Sequence, residues 1–176
     1  SLANPAPDYV ALGSAMALRE ELMKHHVVRI RSASGDRGRL VLMGHALHLV
    51  KDDDALQATG GGGPGGGITH SLGHHLAQQL GLKVFVVWFM YGAGEDSQPF
   101  ASLPRKHRYS DDTLNGRLAA ESRRRGNCGL VLRTANPVCA GVLDIGHMYG
   151  ATFRAAPAQQ ADLIVFLPRV TPLRAA

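Results

Sequence analysis

From Gly60 to Gly67 the chain reads Gly-Gly-Gly-Gly-Pro-Gly-Gly-Gly. Glycine loses more backbone freedom on ordering than any other residue, so this stretch predicts a flexible loop, not a helix or strand. A phosphate cradle is the sharper alternative. It needs a preceding strand, and a P-loop also needs a Lys-Ser or Lys-Thr ending; no strand is expected before the run, and that ending is not in the sequence. With Ser1–Pro7 as a loose leader, the chain 1–176 is expected to be a single domain interrupted by the loop at 60–67.

The rest of the composition allows a packed core. Hydrophobic residues make up 45% and charged residues 19%, a globular balance and not a disordered one. The longest apolar run, Val84–Tyr91, is strand-sized, so no membrane span is expected. Two cysteines do not make a disulfide framework. The net charge of +5 permits an acidic partner, but the basic clusters at Arg105–Arg108 and Arg123–Arg125 lack interleaved aromatics, which argues against nucleic acid.

Hydrophobic spacing predicts a helix over 9–24, with Val10, Leu12, Met16, Leu18 and Leu22 as its apolar positions. Val27–Ile30 and Leu40–Met43 flank a Gly/Asp/Ser turn and read as a hairpin. Asp52–Asp54 reads as an acidic turn. Ile68–Leu80 reads as a helix capped by Gly81, and Leu82–Tyr91 as a fully buried strand. Residues 92–104 read as loop, and Ser110-Asp111-Asp112 as the cap of a helix running to about Ser122. Strands are expected at Gly129–Leu132, Val138–Leu143 and Asp162–Leu167, with a fourth at Met148–Phe153. The class is α+β: a mostly antiparallel sheet or β-sandwich flanked by helices.

If Gly129–Leu132 and Val138–Leu143 form a hairpin around Ala135-Asn136-Pro137, Cys128 falls opposite Leu143 or Asp144, with His147 just beyond. An imidazolium beside a thiol lowers its pKa, and Arg123–Arg125 add positive field. Cys128 is then the nucleophile, its N–H an oxyanion donor, and His147 the acid/base. Cys139 falls near the turn and reads as packing. Asp162 begins its own strand and is excluded as a third member; Asp144 is nearer, with a solvated strand-end charge as its plainer role.

The stretch from Ser122 through Gly126-Asn127-Cys128 to His147 and Gly150 resembles the core shared by cytotoxic necrotizing factor catalytic domains, Burkholderia lethal factor, chemoreceptor glutamine deamidases and laccase-domain cysteine hydrolases. Some members carry a hydroxyl residue six positions before the cysteine, where Ser122 stands here; Asn127 replaces their usual serine. The resemblance implies a cofactor-free, metal-free glutamine deamidase acting on a host or target protein. The catalytic residues are then Cys128, His147 and Ser122. It also implies a toxin or effector, secreted or delivered into a host cell; without that role the chain is expected in the cytoplasm.

Other constellations compete. Thr69-His70-Ser71-Leu72-Gly73 has the pattern of a lipase nucleophile elbow, but the glycine run leaves no room for the strand it requires. Ser71 therefore reads first as a helix N-terminal residue and second as a serine-hydrolase nucleophile. His70 and His74 stand at the i, i+4 spacing that holds zinc, but lack a third ligand in sequence; His45, His48, His25 and His26 are the nearest sources. Exposed histidines on a polar helix face are the plainer expectation. Arg29 and Arg31 invite comparison with the first-strand arginine of ADP-ribosyltransferases, but no Gln/Glu-x-Glu element follows near the C-terminus. A non-catalytic interaction domain, or a degenerate effector of that fold, is the remaining alternative.

Overall fold

The structure, a computed structural model, describes residues 9–35, 39–45, 48–59, 70–96, 105–148 and 151–171. The expected leader at 1–7 and glycine loop at 60–67 lie outside the described residues. The fold is α+β, and the chain divides into two compact units: residues 1–53 with 62–84, and residues 54–61 with 85–176.

The first unit is helical. Helix α1 spans Tyr9–Ala33, well beyond the expected end at 24. The β-branched run Val27-Val28-Arg29-Ile30 is helix and not strand, so Arg29 and Arg31 lie on a helix. A helix already nucleated propagates one hydrogen bond per residue, and nothing breaks it before Gly35. Helix α2 spans Leu72–Leu80 and ends at Gly81, whose φ of 54° only glycine adopts readily. Val27, Leu72 and Leu76 form the core, with Met23, Leu42, Leu49, Leu80 and Val84 packed against it. Residues 39–45 carry no regular structure, so the expected hairpin is absent.

The second unit holds two sheets. Strands β1 (Gln57–Thr59), β6 (Ala151–Ala155) and β5 (Leu143–Met148) form one, antiparallel throughout, in the order β1-β6-β5. The other is mixed, in the order β3-β2-β7-β4, from β2 (Val87–Asp96), β3 (Arg105–Arg108), β4 (Leu130–Arg133) and β7 (Leu163–Val170). Only β2 and β7 run parallel. Helix α3 (Leu114–Arg124) touches β2 and β7 of the mixed sheet and β5 of the other; a one-turn helix α4 (Pro157–Gln160) precedes β7. The sheets are small, and the sandwich expectation is not met.

Burial follows the period-2 alternation of strands and the i, i+4 spacing of the helix. Trp88, Met90, Leu130, Leu132, Ile164 and Phe166 are buried, as are Leu114, Leu118 and Ser122 of α3. Phe89 is 73% exposed and Val131 67%, and both pair across to Val165. Val87–Tyr91 is therefore a one-faced strand and not the fully buried one expected. At β7's entry, Asp162 Oδ2 accepts the Val86 N–H at 2.7 Å, fixing where the parallel pair begins.

Candidate functional site

The expected Cys128–His147 hairpin does not form. β4, directly after Cys128, pairs with β7, while β5, which carries His147, pairs with β6 in the other sheet. Val138 and Cys139, expected to open the return strand, lie in a single 3-10 turn, Pro137–Cys139, behind Asn136, whose side chain accepts the Val138 N–H. Proline has no N–H for a ladder, and that capped turn sends the chain elsewhere.

The Gly-Asn-Cys motif is instead the exit from α3. Gly126 and Asn127 both have positive φ, 84° and 65°, and the Asn127 N–H donates to Ser122 O at 2.8 Å. Ser122, fully buried, donates its Oγ–H to the Cys128 carbonyl at 2.6 Å. That hydroxyl closes the turn, and its recorded partner is a backbone carbonyl and not an imidazole. Arg124 and Arg125 both pair with Glu121, whose carboxyl their hydrogen bonds pull down to about 2. Cys128 is free and exposed, whereas Cys139 is free and buried, as packing requires. Asp144 pairs with Arg154 directly across the β5–β6 ladder at 3.1 Å.

Chemistry-bearing side chains converge instead in the first unit, around the start of α2. Ser71 is the N-cap: its Oγ accepts the His74 N–H at 3.1 Å and reaches the Val50 carbonyl at 3.3 Å. With 3% exposure and both contacts made, that hydroxyl serves the helix, as the first reading of Ser71 expected. Two more free N–H groups of the helix start go to buried carboxylates. Leu72 N–H donates to Glu20 Oε2 at 2.9 Å, and Ser71 N–H to Asp53 Oδ2 at 2.5 Å. The positive end of the helix favours both anions.

Gly73 sets the spacing of this arrangement. A Cβ there would lie 2.4 Å from both Leu49 C and Val50 O, so only glycine lets the 48–53 segment lie on the helix. That close approach places His48 beside Glu20. His48 Nδ1 lies 2.5 Å from Glu20 Oε1 as an ion-pair contact, out of line for a hydrogen bond. On the other edge of the ring, Arg19 Nη1 lies 3.3 Å from Nε2. Glu20 is 3% exposed, while the His48 side chain is 23% exposed, so the ring joins a buried anion to solvent.

The neighbouring histidines are equally engaged. His74 is 5% exposed, contrary to the expected solvent-facing position, and its Nδ1 accepts the Asp53 N–H at 3.2 Å. His70 stacks on it with ring centroids 4.2 Å apart. His75 Nε2 lies 3.7 Å from Glu21, which also binds Lys24 and His25; burial and the Lys24 charge hold His75 below the ordinary histidine range. In the sequence, His70 and His74 stood out by their i, i+4 spacing and His45 and His48 by type alone. Glu20 did not, because a glutamate in a helix has no local pattern that reveals a partner 28 residues away.

No protein-family model matches this chain, and no curated protein matches it. A solved structure does: a histidine-to-asparagine mutant of erythromycin esterase EreC in its open conformation, with a TM-score of 0.56 and 18% sequence identity. The match covers 87% of this chain and 37% of that one, so the chain spans little more than a third of the esterase's length. The backbone arrangement is similar to part of an esterase fold.

Proposed function

We propose that this chain contributes a histidine–carboxylate pair to a hydrolase that cleaves carboxylic esters, with His48 as general base. The observation that carries the reading is the buried Glu20 carboxylate against Nδ1 of a partly exposed imidazole. A carboxylate on Nδ1–H fixes the tautomer that leaves a lone pair on Nε2, the arrangement in which imidazole takes a proton from water. As water adds to the ester carbonyl, its proton passes to His48 Nε2, and Glu20 stabilises the imidazolium. The Arg19 guanidinium, 3.3 Å from that nitrogen, swings aside to admit water and faces the developing oxyanion. Collapse expels the alkoxide, which takes the proton back from His48. No cofactor is needed. The likeness to an erythromycin esterase supports ester hydrolysis as the reaction class.

The test is hydrolysis of p-nitrophenyl esters and of a macrolide lactone by the wild type and by His48→Asn, Glu20→Gln and Arg19→Ala. The expected result is a fall in kcat of about a hundredfold or more for His48→Asn, the range typical of a lost general base. Wild-type turnover unaffected by His48→Asn overturns the reading.

The thiol reading has one observation in its favour, a free and exposed Cys128. It requires that Cys128→Ser abolish ammonia release from a glutamine-bearing protein, an outcome independent of His48→Asn.

A further inference from the structure

We infer that Asp53, His70 and His74 form a binding site for a divalent transition-metal ion of the zinc class. Each offers one ligand atom, and the three atoms lie within 4.8 Å of one another. A tetrahedral zinc ion with bonds of ~2.0–2.1 Å holds its ligand atoms roughly 3.4 Å apart. Closing that difference takes side-chain rotation, chiefly of His70, which is exposed and stacked on His74. The missing third ligand of the His70/His74 pair is supplied by the acidic turn, at a sequence distance the i, i+4 spacing could not reveal.

Two features of the buried members point to a cation. Asp53 has a side chain only 2% exposed, and its Oδ1 is buried without a hydrogen-bond partner among the described residues. An ionised oxygen in that position is costly unless a positive charge or donor meets it. Second, His74 Nδ1 accepts the Asp53 backbone N–H, so that nitrogen carries a lone pair and no proton. Its 4.0 Å approach to Asp53 Oδ2 is therefore one acceptor facing another. A metal ion between them converts the repulsion to coordination, and no proton need leave His74 for it to bind. At 3.2 Å that backbone contact is at the long end of the hydrogen-bond range.

Two imidazoles and one carboxylate are borderline ligands suited to zinc or cobalt(II), and three protein ligands leave a fourth position for water or another ligand. The ion ties the 48–53 segment to the start of α2. It uses none of the Glu20, His48 and Arg19 side chains and does not rest on the ester-hydrolase reading.

The experiment titrates the untagged, chelator-treated full chain with Co²⁺, reading visible absorption, and then displaces Co²⁺ with Zn²⁺. One equivalent with the intense bands of tetrahedral cobalt is expected, together with a rise in Tm when Zn²⁺ is added. His70→Ala, at an exposed position, keeps the metal-free circular dichroism and Tm. It weakens Co²⁺ binding by about tenfold or more and loses the tetrahedral spectrum. Asp53→Asn weakens Co²⁺ binding likewise, while the double variant His25→Ala/His26→Ala binds as the wild type does. No stoichiometric uptake by the wild type, or equal uptake by His70→Ala, overturns the site. Ester hydrolysis is not measured in either arm, so its failure and this one are distinct.

Discussion

At the scale of single residues, Glu20 meets two groups at once, accepting the Leu72 N–H at Oε2 and lying within ion-pair distance of His48 at Oε1. The two duties separate by substitution. Glu20→Gln keeps an acceptor for the helix N–H, whereas Glu20→Ala leaves that buried donor unmet, a penalty of about 1–3 kcal/mol. Denaturant unfolding is therefore expected to rank the alanine variant clearly below the glutamine variant, while both lose ester hydrolysis. Equal stability of the two would mean that the Leu72 N–H finds another acceptor. The cysteines give a second prediction. Burial raises the Cys139 thiol above its ordinary 9.0, and Cys128 is exposed. At pH 8 the native chain is expected to take one equivalent of iodoacetamide, at Cys128, and the unfolded chain two. Because the fold holds the Cys139 proton more tightly than the unfolded chain does, this group's contribution to stability is intact below about 9.0 and declines at higher pH. Cys139→Ala is expected to flatten that alkaline decline; an unchanged pH dependence would assign it to other groups.

At the scale of elements, the arrangement at the α2 start depends on Gly73. A methyl group there meets backbone on both sides, and backbone cannot rotate away as a side-chain tip does. Gly73→Ala is expected to cost about 1–3 kcal/mol or more, and to reduce hydrolysis because His48 rides on the displaced segment. Gly81→Ala is the control: its Cβ meets nothing within 4 Å, so only the strain at φ 54° remains, about 1 kcal/mol. Thermal melting of both variants with parallel activity assays checks the ranking. The same helix shows what was readable beforehand. Its body, its glycine stop and Ser71 at its N-terminus are local chemistry, visible in a few neighbouring residues. The VVRI run was misread because β-propensity mostly records packing on a sheet, and an established helix overrides it. The hairpin reading of Cys128 and His147 failed on strand pairing, since register and partner are set by distant segments. The helix N–H groups of α2 needed acceptors, and that need was foreseeable; that Glu20 and Asp53 would supply them depends on contacts spanning 52 and 18 residues.

At the scale of the whole molecule, the α+β class was readable because it sums many local patterns, whereas the sheet order was not. β2 and β7 are neighbours although β3, α3, β4, β5, β6 and α4 intervene in sequence. That parallel pair is the centre of the mixed sheet, with β3 and β4 on its two edges. Its two faces differ: Ile164 and Phe166 are fully buried, whereas Phe89 and Val131 are exposed. Apolar type is the same on both faces, so burial and not residue type must set the energetic difference. Ile164→Ala removes side-chain packing from a fully buried position and is expected to cost about 2–5 kcal/mol. Phe89→Thr keeps a β-former on the exposed face and is expected to stay within about 1 kcal/mol. Hydrogen exchange adds a spatial check on the same claim. Amides in the β2–β7 ladder are expected to exchange slowest in the second unit, because both strands are paired on both sides. In Ile164→Ala, protection is expected to fall across β2, β4 and β7 together. Loss confined to the residues beside position 164 would show that the four strands do not open as one unit.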